Sequence, residues 1–175
     1  MRDEEAKSFT DAVNILASNY SAAFPTADIE AFRAHLAVVR TGTKVSQSVS
    51  QYLAANFNIN TSRYSLLRAL FFTPEKRLPQ SEVARAMNVT SPNVTQLIDA
   101  LEKDGLVERV VSETDRRVSY AQLTAEGLAK CSILVPAMAR FMQETSAGLS
   151  PDEMRQLSAL LAKLRTGLDQ MTTEA

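Results

Sequence analysis

The chain has little of what most chemistry needs. In 175 residues there are one cysteine (Cys131), one histidine (His35), five glycines and no tryptophan. A single thiol excludes an internal disulfide framework and agrees with a reducing compartment. One His and one Cys leave no Cys-x-x-Cys or His-x-x-x-His spacing to hold a metal, and no glycine-rich loop is present to cradle a phosphate. No catalytic residue, metal or cofactor is therefore expected, and the chain reads as a non-enzyme. A run of eighteen apolar residues is also missing, and the opening Met1-Arg2-Asp3-Glu4-Glu5 is polar and acidic rather than signal-like. A cytoplasmic protein with no membrane partner is the expectation. Strong charge of one sign is absent as well: the formal net charge is −1, and basic and acidic side chains nearly balance across residues 61–120. Strong non-specific affinity for polyanions is not expected from that balance.

What is present lies mostly between Gln80 and Thr124. Hydrophobic residues make up 45% of the chain, enough to bury a core as one domain, or as one small domain with a helical region attached. Val94, Leu97, Ile98 and Leu101 fall at i, i+3, i+4 and i+7, giving a helix one apolar stripe and leaving its opposite face small and polar. Ser91 suits the N-cap and Pro92 the first helical position, where its missing donor costs nothing. Lys103-Asp104-Gly105 stops the helix, because glycine readily takes the left-handed conformation that satisfies the last carbonyls. Two short β-branched runs follow, Leu106 to Val111 and Val118 to Leu123, joined by the wholly polar Ser112-Glu113-Thr114-Asp115-Arg116-Arg117. Short helix, tight turn, second helix and charged hairpin, in that order, suit the gripping of duplex DNA. A planar, permanently charged arginine fork at a projecting tip fits phosphate or a narrow minor groove, and Asp115 beside Arg116 and Arg117 can hold one guanidinium in place.

At the start of the second helix, Ser91, Asn93, Thr95 and Gln96 are placed to reach base edges. Asn93 and Gln96 can pair in two places with adenine, while Ser91 and Thr95 suit phosphate contacts that set register. Helical periodicity also runs through the flanks. Ile29, Phe32, Leu36, Val39, Val49 and Leu53 predict a long amphipathic helix from Asp28 to about Asn56, broken near Thr41-Gly42. A second spans Thr124 to Gly148 with Leu128, Ile133, Leu134, Val135, Met138, Phe141 and Met142, more apolar residues than one face of a helix needs within its own domain. A third opens on a capping box at Ser150-Pro151-Asp152-Glu153 and carries Met154, Leu157, Leu160, Leu161, Leu164 and Leu168. Residues 1–25 add a helical stretch through Phe9, Ala12, Val13, Leu16 and Tyr20, readable as a segment wrapped on a partner subunit or as a loosely held arm. Cys131 sits on an apolar helical face, where a free cysteine is commonly packing; a redox role would need exposure and a lowered pKa.

The chain resembles the MarR (multiple antibiotic resistance regulator) family of winged-helix transcription factors. The resemblance rests on Gln80-Ser81-Glu82-Val83-Ala84-Arg85-Ala86-Met87-Asn88-Val89, on Ser91 through Gly105 with Leu-Glu-Lys-Asp-Gly-Leu-Val-Glu-Arg at 101–109, on Asp115-Arg116-Arg117 and on Leu123-Thr124. Upstream, Asn60 to Leu70 looks like the family's second helix. Three departures stand out: Pro79 occupies a usual Ser or Thr cap, Gln96 a common basic position, and residues 1–25 precede the usual start. The resemblance implies a mainly α fold with a small β-hairpin wing. It implies three regions: 1–56, an N-terminal helical region with 1–25 as an extra arm; 57–124, the winged helix-turn-helix; and 125–175, C-terminal dimerisation helices. It implies a homodimeric regulator, a repressor in the usual case, bound to an inverted repeat of double-stranded DNA and released by a small aromatic or phenolic effector. His35, Val39, Tyr64 and Arg68 are the candidate effector contacts. The peroxide-sensing members carry their reactive cysteine near the N-terminus, where this chain has none. The rival reading is a winged-helix module that binds a protein partner and no DNA, which the near-neutral charge favours and the arginine-tipped hairpin opposes.

Overall fold

The computed structural model describes residues 2–87, 91–111 and 118–173. Its elements run α1 (Arg2–Ala23), α2 (Ile29–Phe57), α3 (Thr61–Phe71), β1 (Arg77–Pro79), α4 (Gln80–Met87), α5 (Ser91–Lys103), β2 (Val107–Val111), β3 (Ser119–Leu123), α6 (Ala125–Thr145) and α7 (Pro151–Thr173). The chain divides into two compact units, Met1–Ser65 and Leu66–Ala175. No described helix is long and apolar enough to cross a membrane.

The first unit is built on α2. Asp28 caps it by accepting the amides of Glu30 and Ala31, each at 3.0 Å. The helix runs unbroken through Thr41-Gly42, where the sequence pattern suggested an interruption. One glycine costs a helix only about 1 kcal/mol relative to alanine, too little to break a 29-residue helix. At its far end Asn58 adopts φ 50, and its amide and that of Ile59 return to the carbonyls of Ala54 and Leu53. Buried Ile59 and Leu53 accompany this closure, the apolar contact expected when a left-handed residue ends a helix. The N-terminal stretch is neither free nor irregular: α1 packs on α2, with Val13 and Ala17 buried. The Tyr20 ring stacks on Phe32 at 4.1 Å, Arg33 donates to the Asn14 side-chain carbonyl, and the Arg40 guanidinium lies 5.8 Å from the Phe9 ring centroid.

In the second unit a three-stranded antiparallel sheet of order β1-β3-β2 carries the helices. The pairs Val107↔Leu123 and Arg109↔Ala121 set the hairpin register, and Leu78↔Ala121 adds the edge strand. That edge strand was not legible in the sequence. It is three residues long and ends in Pro79, and proline is tolerated there because an edge strand leaves N–H groups unpaired. The core joins Leu66, Leu67 and Leu70 of α3, Val83 of α4, Val94, Ile98 and Leu101 of α5, Val107, Ala121 and Leu123 of the sheet, and Cys131, Leu134 and Met138 of α6.

Three local devices fix the ends of its helices. At the end of α5, Gly105 takes φ 71 and its amide reaches the Glu102 carbonyl, while the Leu106 amide reaches Leu101 at 2.9 Å. This is the paired closure that an apolar contact between the flanking positions commonly accompanies, and Leu101 and Leu106 are both buried here. Thr124 caps α6 by accepting the Gly127 amide at 3.0 Å and donates its own hydroxyl to the Gly105 carbonyl at 2.6 Å. At α7, Ser150 and Glu153 form the predicted capping box. The Ser150 amide, then its hydroxyl, hold the Glu153 carboxyl below its ordinary value.

Gly127 is required by space rather than by backbone angle. A Cβ built there would stand 1.9 Å from the Leu106 carbonyl oxygen, so any larger residue pushes α6 off the hairpin base. Gly127→Ala should destabilise the fold by at least about 1–3 kcal/mol, the usual cost of overpacking, read as a lower urea midpoint at unchanged slope. A midpoint equal to wild type would show that this approach is looser than described.

Candidate nucleic-acid interface

The apolar stripe of α5 determines which side chains remain outside. Val94, Ile98 and Leu101 are buried, Leu97 is half-buried, and Asn93, Thr95 and Gln96 are exposed on the first turns. The three described members of the candidate base-reading set therefore share one accessible helix end. The fourth, Ser91, opens α5, and its side chain lies outside the described residues, as do Asn88, Val89 and the hairpin tip with Asp115, Arg116 and Arg117. The described strands flanking the tip pair as far as Val111↔Ser119.

Helix α4 packs on α5 and against β1 and β3. The Gln80 side-chain amide donates to the Ser119 hydroxyl at 3.2 Å, tying the start of the helix-turn-helix to the wing. Arg77 pairs with Glu75 at 2.6 Å and covers the Tyr120 ring at 4.8 Å. The sequence did not single out Arg109, which bonds several groups among the described residues of this face. Arg109 on β2 donates to the carboxylates of Asp99 and Glu102 and to the Thr95 carbonyl, while its own amide donates to Glu102. A spacing of Asp99 and Glu102 at i and i+3 was the available signal, since such a pair presents two acceptors on one side of a helix.

Elsewhere the candidate residues fall as follows. His35 and Val39 are exposed one turn apart on α2, and the His35 Nδ1 lies 2.9 Å from the Ala31 carbonyl of its own helix. Tyr64 is buried and Arg68 exposed, one turn apart on α3; Tyr64 belongs to the first unit and Arg68 to the second. Among the described residues no group of His, Cys, Asp or Glu is placed to hold a metal ion. Cys131 is wholly buried, its thiol 3.8 Å from the Leu67 carbonyl. Burial pushes that thiol up to about 11, with nearby Lys130 opposing weakly.

Helix-turn-helix, three-stranded sheet and hairpin together define a winged helix-turn-helix protein. Residues 57–118 match the sequence profile of the MarR family. The transcriptional regulator PrsX of Escherichia coli is 31% identical over 145 residues, covering 81% of this chain and 87% of its own. The transcriptional repressor MprA of Escherichia coli K12 is 30% identical, covering 74% and 73%. Among solved structures, Sco3205 from Streptomyces coelicolor, a MarR family regulator in complex with DNA, superposes with a TM-score of 0.75 at 22% identity, over 81% of this chain and 89% of its own. The Staphylococcus aureus MepR–DNA complex gives 0.66 at 26% identity, over 73% and 93%. The chain belongs to the MarR family of winged-helix transcription regulators. It is a regulator and not an enzyme.

A thiol held protonated and out of solvent reacts slowly, because the thiolate is the nucleophile. Native protein at pH 8 should therefore release no thionitrobenzoate from Ellman's reagent on the seconds timescale, and one equivalent once unfolded in guanidinium. Rapid labelling of the native state would show that the α3–α6 packing around Cys131 opens readily.

Proposed function

We propose that the chain binds double-stranded DNA as a homodimer, laying α5 of each protomer in successive major grooves with the hairpin tips alongside, and acts as a repressor released by a small effector. One observation carries the reading: the buried Val94-Ile98-Leu101 stripe turns Asn93, Thr95 and Gln96 outward on the first turns of the helix that follows the motif's turn. Residues there are the ones a helix-turn-helix brings to base edges. The DNA-bound states of Sco3205 and MepR support it, as does the repressor activity named for MprA.

Support for the dimer comes from α7. Every one of its described side chains except Leu164 is exposed, including Leu157, Leu160, Leu161, Leu168 and Met171. An amphipathic helix with an uncovered apolar face loses most of its stabilisation in water, so a second protomer is the natural cover. Two-fold symmetry then makes the target an inverted repeat with half-sites roughly 34 Å apart, one turn of the duplex.

Fragments selected from the source genome and titrated by fluorescence anisotropy test this. Affinity should fall steeply as salt rises, because bound cationic side chains release counterions from the phosphates. Gln96→Ala should cost about 1–3 kcal/mol on the selected site while leaving non-specific binding intact. Arg116→Ala should weaken all fragments alike and lower the salt slope by about one. Binding that ignores salt, or no selection of fragments at all, would favour the protein-interaction reading.

A further inference from the structure

The outward flank of α5 carries two acidic groups where the proposed function calls for affinity to an anion. Thr95, Asp99 and Glu102 follow at i, i+4 and i+7 and so form one stripe along the helix, beside Gln96. The Asp99 side chain is 57% exposed and that of Glu102 39%. Both are too accessible to be core groups and too near the groove-reading turns to be neutral bystanders. Left alone, two negative charges on this stripe would repel phosphates within a Debye length, about 10 Å at 0.1 M salt.

Both carboxylates are instead answered by a single cation from another element. The Arg109 guanidinium, reaching across from β2 and 28% exposed, donates Nη2 to Asp99 Oδ1 and Nη1 to Glu102 Oε2. Nη2 also reaches the Thr95 carbonyl at 3.3 Å, and the Arg109 backbone amide donates to Glu102 Oε1 at 3.3 Å. A flat fork with five donors can serve two carboxylates and a carbonyl at once, which a lysine ammonium on a flexible stem does poorly. The contact also ties the first turns of α5, through Thr95, to the strand that leads to the wing.

We propose that Arg109 is a positioning residue for DNA binding: its guanidinium pins Asp99 and Glu102 and offsets half of their negative charge, so that the acidic flank of α5 opposes the phosphates beside the groove less strongly. The inference rests on the DNA-binding reading above and adds an electrostatic part that the base-reading residues do not supply. It also gives a chain of near-zero net charge a way to keep its recognition helix compatible with DNA without a basic surface.

Anisotropy titrations at several salt concentrations, with thermal melts of each variant, test it. Arg109→Ala should weaken binding about tenfold at low salt, and the deficit should shrink as salt rises, because screening acts on the freed carboxylates. Arg109→Lys should recover part of the loss. Adding Asp99→Asn and Glu102→Gln to Arg109→Ala should restore binding, because no negative charge then needs an answer. The same two substitutions with Arg109 retained lie at accessible positions and stand independent of whether Arg109→Ala folds; they should tighten binding and steepen its salt dependence. A deficit equal at every salt concentration and unrelieved by the neutral pair would reduce Arg109 to a stabilising staple and overturn the proposal, as would unchanged binding by Arg109→Ala. Wild-type protein that binds no fragment even at low salt would bring down the DNA reading itself, whereas wild-type binding matched by Arg109→Ala would remove this inference alone.

Discussion

The Leu106 carbonyl receives the Thr124 amide at 3.2 Å, the α-carbon of Gly127 lies against that same carbonyl, and the Thr124 hydroxyl bridges the Gly105 carbonyl and the Gly127 amide. Within a few ångströms the end of α5, both strands of the wing base and the first turn of α6 are fastened together. Backbone groups at helix ends have no partners within the helix, so two helix ends and a hairpin brought together satisfy one another. The consequence is geometric. Helix α5 cannot change its angle to the strands at the wing base without disturbing the start of α6, so its exposed polar turns are held in a fixed relation to those strands. A displacement of the start of α6 would therefore be felt at the end of α5.

Rigidity of position is matched by economy of charge. Binding to duplex DNA draws much of its strength from phosphate neutralisation, yet this chain is formally −1. Local arrangement has to do what composition does not. Arg109 ties up the two acidic side chains of the α5 flank, and Arg77 is occupied by Glu75 and the Tyr120 ring.

The apolar surface that the chain leaves uncovered is concentrated on its terminal helices. In α6, Cys131, Leu134 and Met138 enter the core while Leu128, Ile133 and Met142 stay exposed, so that one helix serves two faces. Helix α7 gives almost nothing to the core of its own chain. The extra helix α1 behaves differently: it covers part of α2 through Val13, Ala17 and the Tyr20–Phe32 stack, and leaves Ile15 and Leu16 outward.

Most of the architecture was legible because its signals are local. The α5 stripe, the Gly105 stop and the Ser150–Glu153 box each lie within a few residues of one another, and a helix or its end answers mainly to neighbours three and four positions away. Family membership followed from those same short patterns in order. What the sequence could not determine were contacts between groups distant along the chain. The pairing of Arg77–Pro79 with β3, the Gln80–Ser119 bond and the docking of α1 on α2 have no periodic signature. The unbroken course of α2 through Gly42 was equally hidden, because a weak helix former is overruled by the helix around it. Arg109 shows the division most clearly: its residue type and strand position are written in the sequence, but its hold on Asp99 and Glu102 exists only once β2 lies beside α5.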